Sequence, residues 1–429
     1  MKRRTLVGML LVVLAAACYA SIVVVRQGPP SGGDTVPLTA VTTDIAAGRL
    51  HAAAANEALP DPPGYALLAA PFVAALGVVA SPSWCTTPGR AADLHKQPHY
   101  RHDPTFATDV AQCGAPGQSL PPWYRSQGLL GVASWLVLVA GSLALLRAAR
   151  ADTTARIVGL LAFLAFLPAA SSAIVQLFHP QDIVSLGLAL GGMAAVVRRR
   201  FVVAGVLFGA ALVTKQFAIL LLLPAVVAAR DARARLTLVG VTVAVVASAM
   251  LPFFFAAPAA TLDNVSGFSA GGAVSGQTVL TLLGVTGHVG SAVARDAPVV
   301  FALGLCVWAA TRDGPWLSRP ETLVALGLAC TGSRLVFESV VFPYYLLAPS
   351  VLYFLLDLVA RRSPHLSLAW CAGSAFFVAV HPGTEAVNAL GTLFFAVLAV
   401  AAGLVEVARR RAAPSDAPAV PSALVSRTT

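Results

Sequence analysis

Charge is scarce in this chain. Asp, Glu, Lys and Arg make up 11% of its 429 residues, and only three of the 29 basic residues are lysines, Lys2, Lys96 and Lys215. A soluble globular chain carries about a quarter charged residues, so an ordinary soluble enzyme is excluded. A disordered protein is excluded too, since disorder goes with low hydrophobicity and high charge. Six cysteines are too few for a disulfide scaffold of this length. Chemical signatures are missing as well. There is no Gly-rich nucleotide loop and no zinc spacing, and no internal repeat is visible.

What the chain has is apolar surface. It is 57% hydrophobic with a mean hydropathy of +0.78, the composition of a polytopic membrane protein. Ala, Val, Gly and Arg dominate, as in chains from GC-rich bacterial genomes. The net charge of +10 raises the question of nucleic acid, but its distribution answers a different one. Arginine clusters at 147/150/156, 198–200, 230/233/235, 312/319, 361/362 and 409–411 punctuate the apolar runs. Such clusters stay on the cytoplasmic side. The runs between them give a consistent path: 5–25, 128–146, 157–178, 183–197, 201–213, 217–229, 236–257, 297–311, 321–333, 344–360, 365–380 and 386–408. That makes about twelve crossings with both termini inside. Twenty of the 29 basic residues then face the cytoplasm. The charge is a topology signal, and no nucleic-acid partner is expected.

The expected fold is an all-α polytopic membrane protein of one domain, 1–411, followed by an Ala/Pro/Ser-rich disordered cytoplasmic tail, 412–429. The first segment reads as an uncleaved anchor, because the residues after Cys18 stay apolar through Val25. Gly64–Ala80 is apolar but short. If it crossed, every later arginine cluster would invert. It therefore reads as a surface helix within a long first external loop, 26–127; a second external loop covers 258–296. Cys85 and Cys113 lie in the first loop, where an oxidising compartment favours a disulfide. Peptide mapping without reduction decides between that and two free thiols. The other four cysteines read as packing residues.

Polar groups placed where lipid penalises them mark function in such proteins. Four sets stand on the outer half. Asp34 and Asp44 lie beyond the first helix, ahead of Gly48 and Asp61-Pro62-Pro63-Gly64-Tyr65. His179-Pro180-Gln181-Asp182 sits at a helix junction, with His179 and Asp182 close enough in sequence to share a face. Lys215-Gln216 is the tip of a hairpin of two short helices. Arg334 and Glu338, four apart, precede Pro343-Tyr344-Tyr345. Each has a bland reading: a turn aspartate, a helix-start acid, a snorkelling lysine, a structural ion pair. Together they gather an acid, an imidazole, a lysine and an arginine on one side of the bilayer. That suits an amphiphilic phosphate-bearing substrate, with Lys and Arg on the phosphate and a carboxylate for acid–base work.

The layout resembles the membrane glycosyltransferases of the C-type superfold, in particular glycosyltransferase family 87, which use polyprenyl-phosphate-mannose. The resemblance runs from the first helix to about Leu358. It is carried by Gly33-Asp34, Gly48, Pro62-Pro63-Gly64-Tyr65, His179-Pro180-Gln181-Asp182, Gly205…Gly209…Thr214-Lys215-Gln216 with Pro224, and Arg334…Glu338…Pro343-Tyr344-Tyr345.

The resemblance implies an inverting transfer of a sugar, mannose foremost, at the external face of a bacterial plasma membrane. The donor would be a polyprenyl-phosphate-linked sugar and the acceptor a membrane lipid or glycan. It implies donor-phosphate binding by Lys215, Gln216, Arg334 and His179, supported by Asp182, Glu338, Tyr344 and Tyr345. A loop Asp would be the general base. Asp34 and Asp44 both qualify. Asp34 follows two glycines, while Asp44 heads Ile45-Ala46-Ala47-Gly48, which also reads as a short helix that Asp44 merely caps. The sequence departs from the family pattern in lacking a paired acid in the first loop. It also carries a polar insertion, Trp84 to Tyr124, with His95, His99 and His102, whose irregular spacing reads as a solvated loop and not a metal site. No cofactor is expected; a divalent metal is compatible with the chemistry, but nothing indicates one. The competing class is a transporter or flippase for a lipid-linked or polar solute. Such carriers usually show internal repeats, and long external loops fit an enzyme better.

The topology is directly testable. Reporter fusions after Ala80, Gly117 and Asp263 should read external, and fusions after Arg150, Arg235 and Arg362 internal. An internal signal at Gly117 would make 64–80 a crossing and take the loop away from the inferred site.

Overall fold

The computed structural model describes residues 3–26, 35–54, 62–75, 122–175, 179–266, 278–285, 287–312, 314–338, 341–380 and 383–412. Among them there is no strand. In chain order the helices are α1 (Arg3–Arg26), α2 (Thr35–Ala46), α3 (Leu50–Ala54), α4 (Gly64–Ala75), α5 (Pro122–Ala148), α6 (Thr154–Phe166), α7 (Pro168–Val175), α8 (Pro180–Val197) and α9 (Phe201–Thr214). Then follow α10 (Ile219–Ala228), α11 (Ala232–Ala256), α12 (Pro258–Ser266), α13 (Val279–Leu282), α14 (Gly287–Ala310), α15 (Pro320–Phe337), α16 (Leu347–Val359), α17 (His365–Val380) and α18 (Glu385–Ala412). Every apolar run of the sequence carries a helix. Six stretches are long and apolar enough to cross a bilayer: Leu129–Ala148, Thr154–Val175, Pro180–Val197, Ala232–Ala256, Ala292–Ala310 and Glu385–Ala412. The others are shorter, among them Phe201–Thr214, Gln216–Ala228 and His365–Val378. The described residues are therefore those of a helical membrane protein, with six candidate spans among them by length and composition.

Backbone accounting explains the one break inside a long span. Pro168 has no N–H, so the carbonyl of Leu164 loses its helical partner. The indole Nε1 of Trp135 on α5 donates to that carbonyl at 2.9 Å. Leu167 is extended, ψ 116°, as a residue before proline tends to be. Tyr19 of α1 stacks on Trp135 at 5.1 Å and donates to Ala170 O at 3.0 Å. The first helix is thereby fastened to the break.

Helices pack where small residues let backbones meet. Gly141 of α5 faces Gly187 of α8, and a Cβ on Gly187 would come within 2.7 Å of Leu138 N. Gly205 and Gly209, one turn apart on α9, face Val241 and Val245 of α11. The hydroxyl of Thr242 on α11 donates to Gly205 O at 3.3 Å. Gly403 of α18 abuts Ala325 and Ala329 of α15.

The two ends of the bundle differ. At the arginine-rich end, Glu406 is fully buried and holds Arg362 and, at 2.7 Å, Arg410; Arg410 reaches Glu321 at 3.5 Å. Three helices stop at this end in one way. Arg150, Arg199 and Arg361 adopt φ of 54°, 58° and 59°. The following N–H reaches back five positions: Ala151 to Leu146 O, Arg200 to Ala195 O, Arg362 to Asp357 O, at 2.8–3.0 Å. This is the Schellman closure, usually made with glycine.

The opposite end carries α2–α4. Gly48 (φ 75°) closes α2 in the same way, with Arg49 N donating to Asp44 O at 2.8 Å. This corrects the reading of Asp44 as the cap of a helix running to Gly48. The helix begins at Thr35, and Asp44 lies in its last turn. The acid there is unfavourable to the helix dipole, and Arg49 offsets it through an ion pair, with Nη2 2.6 Å from Oδ1. The described part of α4 has 12 residues, about 18 Å at 1.5 Å per residue. A second group of buried residues joins this layer to the bundle: Leu38, Val41, Tyr65, Ala66 and Ala69 pack on Val184 of α8 and Phe253 of α11. His51 Nδ1 also lies 2.7 Å from Ala256 O.

Pro62 and Pro63 are buried, and Gly64 presses on the α9 backbone, where a Cβ would fall within 2.7 Å of Thr214 N. Gly64→Ala should push α4 off α9 and destabilise the protein by roughly 1–3 kcal/mol, the usual range for overpacking. The check is thermal unfolding of the purified variant; an unchanged midpoint would mean that α4 docks elsewhere.

Candidate active site

Four helix ends converge at the α4 end of the bundle. Pro180 opens α8, a favoured first position, and places Asp182 in the first turn, where the dipole welcomes a carboxylate. Helix α9 stops at Lys215, whose backbone is extended (φ −159°, ψ 132°). Phe217 follows in a short 3-10 turn, Gln216–Ala218. The next helix, α10, heads back, and Leu221 reaches Gly327 beside Met193 and Leu352. Helix α15 ends at Glu338. Phe342 is extended ahead of Pro343, which opens a 3-10 turn through Leu346.

The side chains meet around one carboxylate. Asp182 is 3% exposed, His179 7% and Lys215 9%. Lys215 Nζ stands 4.0 Å from Asp182 Oδ2, and His179 Nδ1 stands 3.5 Å from the same oxygen. Gln181 Nε2 is 3.1 Å from His179 Nδ1. The ring of Tyr344 stacks on His179 at 4.2 Å, and Phe342 stacks on Tyr344 at 5.7 Å. Tyr345 meets Tyr344 edge-on at 4.6 Å. Arg334 is ion-paired with Glu338. Its guanidinium lies 4.5 Å from the Tyr345 ring centroid and 5.5 Å from that of Phe217, both within cation–π range. Arg334 acts electrostatically on Asp182, and Lys215 on Glu338, so the two pairs form one cluster. Two cations and an imidazole against an aromatic wall, in a largely desolvated place, can hold an anionic oxygen-rich group.

The structure thus brings together His179, Asp182, Lys215, Arg334, Glu338, Tyr344 and Tyr345, drawn from four segments. It does not add Gln216, which is exposed at the start of its turn. Asp44 pairs with Arg49 in the surface layer. Asp34, Cys85, Cys113 and the three histidines at 95, 99 and 102 lie outside the described residues. Among the described residues, no three His, Cys, Asp or Glu side chains stand where one metal ion could be held. Sequence reasoning missed Phe217 and Phe342. Both sat beside singled-out residues, as an aromatic two places after Lys215 and another just before Pro343.

The family model of glycosyltransferase family 87 matches residues 115–337, just over half of the chain. The chain belongs to glycosyltransferase family 87. The matched segment holds His179, Asp182, Lys215 and Arg334, and stops one residue before Glu338. No curated protein matches the chain. Membership makes this a membrane glycosyltransferase, with a sugar donor and an acceptor as substrates, and sets the carrier reading aside.

The Arg334–Glu338 pair gives a stability test. Removing the arginine alone leaves a carboxylate without its partner. Arg334→Met should cost roughly 2–3 kcal/mol, below the ~3–5 of a sealed pair, because the two side chains retain 19% and 12% exposure. Arg334→Met with Glu338→Leu should recover most of that loss in thermal unfolding. Equal losses in the single and double variants would show that the carboxylate does not depend on the arginine.

Proposed function

We propose that this chain transfers a sugar, mannose foremost, from a polyprenyl-phosphate donor to a membrane lipid or glycan acceptor at the external face of a bacterial plasma membrane, inverting the anomeric centre. The observation that carries the reading is the gathering of buried Lys215 and His179 with half-buried Arg334 beside a surface helix layer. An amphiphilic donor needs a place where a phosphate is held at the end of apolar helices, and an acceptor needs access from above the bilayer. Lys215, Arg334 and His179 are chemically suited to the first need, and α4, whose Gly64 bears on Val213 and Thr214, packs beside them.

In the proposed step the acceptor oxygen attacks C1 of the sugar from the face opposite the phosphate. The new C1–O bond forms as the C1–O bond to phosphate breaks, and the phosphate leaves with the bonding electrons. Lys215 and Arg334 stabilise the charge that develops on the leaving oxygen. Asp182 and Glu338 hold these cations in place; Tyr344 and Tyr345 wall the seat. A loop carboxylate takes the acceptor's proton, which makes a poor nucleophile adequate. Asp34 is the favoured base. It follows Gly32-Gly33, which permit close backbone approach, and it matches the acid after the first helix in the family. Asp44's ion pair with Arg49 counts against its serving as a free base.

Asp34→Asn preserves size and hydrogen bonding and removes basicity. It should lower turnover by about 10²–10⁴-fold, the usual yield of general-base catalysis, while binding of a polyprenyl-phosphate sugar is kept. Loss in Asp44→Asn with normal turnover in Asp34→Asn would move the role to Asp44. Normal turnover in both would end the mechanism.

A further inference from the structure

Lys215 sits at a break in the chain. Its backbone is extended, so no helical hydrogen-bond pattern fixes the direction of its side chain. Ser185 does what the helix does not. It lies on α8 one turn beyond Asp182, fully buried, and residues three apart on a helix share a face. The same face that presents the carboxylate to Lys215 therefore presents a hydroxyl to the end of α9. That hydroxyl donates to Ala211 O at 3.0 Å and lies 3.4 Å from Lys215 O. Ala211 O is the acceptor of Lys215's own N–H, at 2.8 Å. One hydroxyl thus touches the carbonyl to which Lys215 donates and the carbonyl that Lys215 carries. From the other side Gly64 bears on Val213 and Thr214, so the backbone before the break is gripped between α8 and α4.

We infer that Ser185 is a positioning residue for Lys215, its hydroxyl setting the end of α9 so that the ammonium stands beside Asp182, facing the phosphate seat. The phosphate part of this rests on the function proposed above; the geometric part does not.

Thr and Val have nearly the same shape, so Ser185→Thr and Ser185→Val differ in the hydroxyl alone; Ser185→Ala covers the case in which the added methyl is not tolerated. The first readout needs no sugar transfer. Lys215 is one of three lysines, so its acetylation by acetic anhydride can be followed by mass spectrometry in the full chain in lipid nanodiscs, against Lys2 and Lys96. Ser185→Val and Ser185→Ala should raise the Lys215 rate roughly three- to ten-fold, the effect of one neutral hydrogen bond, with Ser185→Thr close to the parent. The second readout is kinetic, with polyprenyl-phosphate-mannose as donor. Ser185→Val should raise KM for the donor more than it lowers kcat, and should have no effect in a Lys215→Ala background. Equal Lys215 reactivity in the parent, Ala and Val proteins overturns the inference, as do additive effects of Ser185→Val and Lys215→Ala. If the parent uses no such donor, the donor reading fails, and the acetylation comparison still decides the role of Ser185.

Discussion

A carboxylate that is 3% exposed at the end of an apolar bundle sets the terms for everything around it. An uncompensated charge in such a place costs several kcal/mol, so Asp182 must be met from several directions at once. The α8 dipole meets it from below, His179 from its own turn, Lys215 from α9, and Arg334 acts on it from α15. These contacts demand that three helices end at one level. Helix α9 is accordingly only 14 residues long, and its chain turns back at the lysine. The aromatic wall follows from the same demand, because Tyr344 and Tyr345 exclude water from the rings and cations they cover.

The far end of the bundle steadies this arrangement. Helix α15 carries Arg334 near one end and Glu321 near the other, and Glu321 belongs to the Arg410–Glu406–Arg362 chain of ion pairs. Between these points α15 is packed tightly on α18, with Gly403 against Ala325 and Gly332 against Ala399. The helix is held at both tips and along its length. The charged cluster thus rests on a strut whose far partners, Arg362, Glu406 and Arg410, lie in the segment beyond the family match.

Sequence made the site residues visible because they are so few. In a chain with 11% charge, His179, Asp182, Lys215, Arg334 and Glu338 stand out against apolar neighbours. Their partnership was less legible, since Asp182–Lys215 joins positions on different helices and depends on packing that no local pattern encodes. Helix positions were readable from the spacing of arginine clusters. Crossing number was not, because helices such as Phe201–Thr214 are too short for length to decide. The break at Leu167 lay within a single apolar run, and the donor that makes it tolerable, Trp135, is 29 residues from Leu164, whose carbonyl it meets. Asp44 misled because the helix start was placed by its Gly48 end alone; α2 begins nine residues earlier, at Thr35.

Arg150, Arg199 and Arg361 each fill a left-handed position where glycine is the relaxed choice. A side chain there is held against a penalty of roughly 1–2 kcal/mol. Each also belongs to an arginine cluster, and such clusters orient membrane chains as they insert. Punctuation and compass are thus written in the same letter. A glycine would relax the bend yet erase part of the orienting charge, and a lysine would keep the charge at the same backbone cost. Such a position can be improved for folding only by weakening the instruction that tells the chain which way to face.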